Sequence, residues 1–113
     1  MSPGEHLAEV GEGDFENEVI DSGIPVLVDF FTPPCVPCKT LVPVLERAAG
    51  KFPDVKVVKV NAWNNQGLCA RFKIVGVPAL LFFKGGQNVL RIDGFDASTE
   101  KRIDDGLKEI LGR

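Results

Sequence analysis

Concentrated positive charge is missing from this chain of 113 residues. Thirteen basic against sixteen acidic side chains leave a net charge of −3, and no basic cluster is denser than Lys101–Arg102. A phosphate-backbone footprint needs a basic stripe or patch, so nucleic acid is a poor candidate partner. Long apolar runs are also missing. Segments such as Val26–Leu27–Val28 and Ala79 to Phe83 fall far short of the ~20 residues a spanning helix requires, and Met1 to Val10 has neither a basic start nor an apolar stretch of signal type. No membrane partner is expected. Histidine occurs once and cysteine three times, an odd count that does not suit a secreted disulfide framework and agrees with a reducing, cytoplasmic setting.

What is present is ordinary for a globular chain: 44% hydrophobic and 26% charged residues, a balance that excludes disorder and repeat architectures. At roughly 100–200 residues per domain, residues 1–113 are expected to form one domain, and a monomer is expected. Ile24 to Phe31 is apolar and β-rich except at Asp29, as a strand buried on both faces would be. Thr32–Pro33–Pro34 then turns the chain. From Cys35 to Gly50, Leu41, Val44, Leu45, Ala48 and Ala49 recur at helical spacing, with Gly50 as the expected C-cap and Pro43 as an expected kink. Val55 to Asn61 predicts a second strand, parallel to the first across the helix, and Gln66 to Phe72 a short helix. Ala79 to Lys84 and Asn88 to Asp93 predict an antiparallel hairpin across Gly85–Gly86–Gln87. Ile103, Leu107, Ile110 and Leu111 mark the buried face of a last helix capped at Ser98 or Thr99. Near the start, a strand over His6 to Val10 precedes a helix carrying Phe15, Val19 and Ile20, with Asp14 as its cap. The fold class is α/β: a mixed sheet with helices on both faces.

Cys35–Val36–Pro37–Cys38 opens a helix directly behind a buried strand. Unpaired N–H groups and the helix dipole stabilise an anion there, so the Cys35 thiol should ionise more readily than a free cysteine. Pro37 sits in the first turn, where its missing N–H costs nothing. Two intervening residues let one thiolate attack a foreign disulfide and the other resolve the mixed disulfide. A zinc site is the competing interpretation, but only Cys69 and His6 remain as further ligands and neither has paired spacing. An inert structural bond is the other. Asp29 is an isolated carboxylate in an apolar strand, hence functional, partnered or at an edge. Lying under the dithiol, it could accept a proton from Cys38 through water. Lys59 on the neighbouring strand is its candidate partner, and an ordinary ion pair at a strand end is the plainer alternative. Pro78 stands at the first position of a strand, where proline is tolerated.

Val26 to Phe30 (VLVDF), Cys35–Val36–Pro37–Cys38–Lys39, Pro43, Lys59–Val60–Asn61, Gly76–Val77–Pro78 and Gly94 together closely resemble the thioredoxin family over nearly the whole chain. The resemblance implies a central five-stranded sheet and a protein-disulfide reductase with no bound cofactor, working through a redox-active Cys35–Cys38 disulfide. It also implies disulfide-containing client proteins and a thioredoxin reductase as partners. Cys35 matches the nucleophile, Cys38 the resolving thiol, Asp29 the buried carboxylate, Lys59 its neighbouring lysine and Pro78 the cis-proline. Gly76 and Val77 match the backbone that pairs with the client peptide, and Gly94 borders that groove, as do Val36 and Pro37.

There are departures. Val36 replaces the usual glycine, Pro34 the usual tryptophan before the first cysteine, and Phe31 the tryptophan usual after the Asp–Phe pair. Trp63 is expected to pack near Phe31 and the dithiol, or else to lie on a surface loop. Cys69 is expected to be inert core packing, with a regulatory or dimerising thiol as the alternative. A specialised protein for one partner, a disulfide oxidant or isomerase, and a peptide clamp without turnover remain open.

Overall fold

The computed structural model describes residues 7–113, so His6 lies outside the described residues. Strand β1 is Ala8–Glu9, β2 Val26–Phe31, β3 Lys56–Asn61, β4 Ala79–Lys84 and β5 Gln87–Asp93; the α-helices are α1 Val36–Lys51, α2 Gln66–Arg71 and α3 Thr99–Ile110. One five-stranded sheet runs in the order β1-β3-β2-β4-β5. β3 is parallel to both β1 and β2, whereas β4 is antiparallel to β2 and to β5, giving the mixed sheet expected.

Successive residues of a strand face opposite sides, and the core divides accordingly. Leu27, Val57, Leu80, Phe82 and Ile92 meet α1 (Leu41, Val44, Leu45, Ala48) and α3 (Ile103, Leu107, Ile110) on one face. Val28, Phe30, Val58, Val60, Ala79, Leu81 and Phe83 meet Phe15, Val19, Leu68 and Cys69 on the other. There Phe72 stacks edge-on against Phe83 and Phe30, with centroids 5.4 and 6.5 Å apart. Asp29 belongs to the same strand side as Leu27, and therefore faces α1.

Several local expectations are corrected. The helix expected to carry Phe15, Val19 and Ile20 is a single π-helical turn, Glu16–Ile20. Asp14 does not cap it, because its Oδ1 accepts from the Gly11 N–H behind it. α1 passes through Gly50 to Lys51, and the Phe52 N–H donates to Ala48 as the helix ends. Pro43 lies inside that continuous helix. The hairpin turn is only Gly85–Gly86, both at positive φ, so Gln87 joins β5; two consecutive left-handed residues are what a tight two-residue hairpin demands and what glycine supplies without steric cost. At α3, Ser98 makes no capping bond from its side chain. Asp96 instead accepts from the Ser98 N–H and hydroxyl, and Thr99 Oγ1 accepts from the Asp96 N–H.

Candidate active site

The carboxyl ends of β2 and β3 meet the beginning of β4 and the end of β5 on one rim. In register, Asp29 faces Lys59 across the parallel pair, Phe30 faces Ala79 across the antiparallel pair, and Ala79 faces Asp93. The next residues beyond these pairs are Phe31 and Thr32 on one side and Pro78 and Val77 on the other. Topology thus brings together segments that Phe30 and Ala79 show to be 49 residues apart in sequence.

After Phe31 the chain leaves the sheet through Thr32–Pro33–Pro34, and the Cys35 N–H donates to the Thr32 carbonyl at 3.1 Å. Cys35 is the N-cap of α1 in extended conformation, and its Sγ accepts from the Cys38 N–H at 3.2 Å. A sulfur in this position receives one of the helix's orphan donors and the positive end of its dipole, both of which favour a thiolate. Cys35 and Cys38 are joined as a disulfide with Cα atoms 5.2 Å apart. Their surroundings differ: Cys38 is 3% exposed, whereas Cys35 is half-buried. Val36 and Pro37 are both exposed on the first turn, Val36 by 67%.

Beneath the dithiol lies a cavity of about 180 Å³ whose lining includes Asp29, Phe31, Cys38, Val42 and Lys59. Asp29 is 2% exposed and its Oδ1 has no hydrogen-bond partner. Burial pushes its carboxyl up from the usual 3.8 to about 7, and the Lys59 charge opposite pulls the other way without overcoming it. The Lys59 ammonium stands over the Phe31 ring, 5.8 Å from its centroid. A cavity of this size holds water readily, so the Asp29 carboxyl and the Cys38 sulfur share a space in which a proton is able to pass between them.

On the other side of the rim the Val77–Pro78 peptide is cis. Gly76 is exposed and Val77 half-buried, and Thr32, Gly76 and Val77 line one cavity, which joins this segment to the turn leading into Cys35. Gly94, at φ +82, donates its N–H to the Pro78 carbonyl at 2.9 Å. Residue 94 therefore sits directly against the cis peptide in a backbone conformation suited to glycine. The ten candidate residues are all at this rim or directly beneath it.

Three further placements bear on the site, and one of them, buried Cys69, is as expected. Trp63 is 59% exposed in the 3₁₀ turn Ala62–Asn64, its N–H held by Asn61 Oδ1, so it takes the surface course and Lys59 takes the face of Phe31. Cys69 is buried, with its Sγ donating to the Ala62 carbonyl at 3.7 Å and its thiol pushed up by burial and then by Glu12; it is no readily ionised nucleophile. Arg91, in β5, reaches the backbone behind Gly76. Nothing in the sequence singled it out, because its partners, the Lys73 and Phe72 carbonyls, lie 18 and 19 residues earlier. Among the described residues, no group of three or more metal-ligating side chains is present.

A Cys–X–X–Cys disulfide at a helix N-terminus, with the first cysteine half-buried and the second buried, is suited to thiol–disulfide exchange. Similarity to known proteins agrees. The family model described as Thioredoxin matches residues 6–109. Thioredoxin 1 of Nostoc sp. is 42% identical over 88 residues, covering 77% of this chain and 82% of that protein; thioredoxin of Haemophilus influenzae is 44% identical over 84 residues, covering 74% and 78%. A chain from a structure concerning the thiol-resolving mechanism of yeast mitochondrial 1-Cys peroxiredoxin superposes with a TM-score of 0.84 over 96% of this chain and 99% of that one. At 22% identity, that likeness speaks to fold alone. By sequence, fold and exchange centre, the chain belongs to the thioredoxin family of thiol-disulfide oxidoreductases.

Proposed function

We propose that this protein reduces disulfides in client proteins, with Cys35 as the attacking and Cys38 as the resolving sulfur. The supporting observation is the unequal setting of the two cysteines at the N-terminus of α1: Cys38 is buried, whereas Cys35 is half-buried and its Sγ accepts the Cys38 N–H. In the reduced protein the Cys35 thiolate attacks one sulfur of a client disulfide, the client S–S bond breaks, and the released client sulfur takes a proton. A mixed disulfide now joins Cys35 to the client. Cys38 then gives up its proton and attacks the Cys35 sulfur, forming the Cys35–Cys38 bond and releasing the second client sulfur as a thiol. Two electrons have passed from the dithiol to the client.

Asp29 is the group that takes the Cys38 proton, through water in the cavity they share. A base is most effective when its pKa lies near the working pH, and burial places Asp29 at about 7. Lys59 limits how far that carboxyl rises. Gly76 and Val77 offer free backbone to an extended client segment beside Pro78, in the manner of an added strand, with Gly94, Val36 and Pro37 bordering it. A thioredoxin reductase restores the dithiol, and the cytoplasm, which keeps thiols reduced, is the setting. Val36, replacing the glycine usual in the family and 67% exposed, favours a second reading in which one apolar client dominates.

The test is insulin reduction by dithiothreitol with this protein present, followed by the equilibrium potential of the dithiol. Turnover and a potential near roughly −270 mV support a reductase, whereas roughly −180 to −120 mV would mark an oxidant or isomerase. No turnover on insulin with a reversible Cys35–Cys38 bond would select the dedicated-client reading.

A further inference from the structure

The turn that leads into Gly76 has an unusual backbone. After α2, the Ile74 N–H donates to the Cys69 carbonyl at 2.8 Å and the Lys73 N–H to the Ala70 carbonyl at 3.3 Å, the pattern of a helix closed by a left-handed residue. That residue is Lys73, at φ +56, and it is the described non-glycine residue with positive φ. Glycine is usual there because a side chain makes this conformation unfavourable. Ending the helix in this way also turns the Phe72 and Lys73 carbonyls away from the helix, so they need donors from elsewhere.

Arg91 supplies them. Its Nη1 donates to the Phe72 carbonyl at 2.6 Å and its Nη2 to the Lys73 carbonyl at 2.9 Å. Its Nε donates to both Asp93 oxygens, at 3.1 and 2.9 Å. The planar fork is thus used at all three nitrogens, a geometry that lysine's single point charge does not reproduce. Arg91 lies on β5 opposite Leu81, and Asp93 opposite Ala79, so the fork is anchored to the sheet beside the start of β4. The same two side chains, with Val75, Gly76, Pro78 and Gly94, line a groove of about 230 Å³. Val75 is 98% exposed on its rim.

We propose that Arg91 is a positioning residue for client binding: by holding the Phe72 and Lys73 carbonyls from β5, with Asp93 orienting its fork, it fixes the Lys73–Val77 turn in the shape in which Gly76 and Val77 pair with a client segment. This rests on the exchange reaction proposed above and adds to it a determinant of client affinity remote from both sulfurs. Arg91 touches no reacting atom. Its loss acts on clients that need the peptide-pairing segment and spares small disulfides that need only Cys35.

The experiment compares Arg91→Met, which keeps the aliphatic stem, with Arg91→Lys, which keeps the stem and charge but not the fork. KM and kcat are measured for insulin, and in parallel the rate of reaction with 2-hydroxyethyl disulfide, together with residue-resolved amide hydrogen exchange. For Arg91→Met, KM for insulin is expected to rise about tenfold, the loss of one well-ordered hydrogen-bonding contact, with kcat within about twofold. Arg91→Lys should show the same pattern at smaller size. The small disulfide should react at the wild-type rate, and exchange should quicken at Lys73 and Ile74 while Leu81 and Phe82 stay protected. An unchanged KM in a folded variant overturns the proposal. So does an equal loss on insulin and the small disulfide, or exchange quickened throughout the core, since each indicates a general structural role. If the wild-type protein reduces neither substrate, it is the parent exchange reaction that has failed, and the wild-type control shows that separately.

Discussion

Two charged side chains support the two sides of the exchange groove, and they do so in opposite ways. Asp29, under the dithiol, is buried with one oxygen that has no partner, and burial keeps its carboxyl near neutrality at about 7. Arg91, behind the peptide-pairing segment, donates from every nitrogen to a named acceptor. An unsatisfied buried carboxyl is poised to change protonation state, which suits the proton-accepting role proposed for it. A satisfied guanidinium keeps its charge and holds a shape, so it serves geometry. The surface pairs of α1 and α3 do neither: Arg47–Glu100 and Lys51–Asp104 are solvent-facing, and pairs of that kind contribute little.

The comparison breaks most completely at Cys38, the sulfur proposed to lose its proton to Asp29. Cys38→Ser should stop turnover at the mixed disulfide, and denaturing electrophoresis without reductant should show the client attached to Cys35. If the mixed disulfide instead breaks down and releases the second client thiol at the wild-type rate, Cys38 is not the resolving group.

Asp29→Asn comes next. The folded-state pKa of Asp29 is raised, so the native protein favours the protonated form. Its ionisation therefore weakens the fold as pH rises from the unfolded value of 3.8 to about 7, and the loss persists above. About three pK units correspond to on the order of 4 kcal/mol. The Asn variant of the oxidised protein should accordingly be more stable than wild type by about that much at pH 9 and nearly equal to it at pH 3, as denaturant unfolding at the two pH values will show. Resolution of the mixed disulfide should slow by about a hundredfold, and the inflection near neutral pH should vanish from its rate profile. The same variant should leave the preference for insulin over the small disulfide unchanged, while Arg91→Met leaves the pH profile unchanged. Crossed effects would mean that chemistry and shape are not divided between these two residues.

Val36→Gly is the mildest change. Val36 is exposed, so stability should move by less than about 1 kcal/mol. KM for apolar clients should rise a few-fold, with the small disulfide unaffected, which is measurable in the same assays.

Much of the dithiol side was legible because it is local. A β-rich run, a proline turn and a helical pattern lie in consecutive residues, and Cys35 at the helix start follows from spacing. Asp29 stood out as the single polar residue of its strand. Errors arose where short polar side chains had rival local acceptors and donors: Asp14 bonds backward to Gly11, and Asp96 rather than Ser98 organises the entry to α3. Gly50 failed as a stop because α1 continued to bring Phe52 into the core beneath it. Trp63 had no periodic signal to place it.

Periodicity and turn residues determined by themselves most of the order of elements and the mixed α/β class, and the Cys–Val–Pro–Cys spacing at a helix start singled out the exchange pair, because each depends on residues within a few positions of one another. Tertiary structure alone supplied the register that sets Lys59, already a candidate partner, opposite Asp29, the cavity that Asp29 and Cys38 line together, and the reach of Arg91 to the carbonyls of Phe72 and Lys73. Those relations cross between strands and loops, and their register and burial exist only once the sheet has assembled.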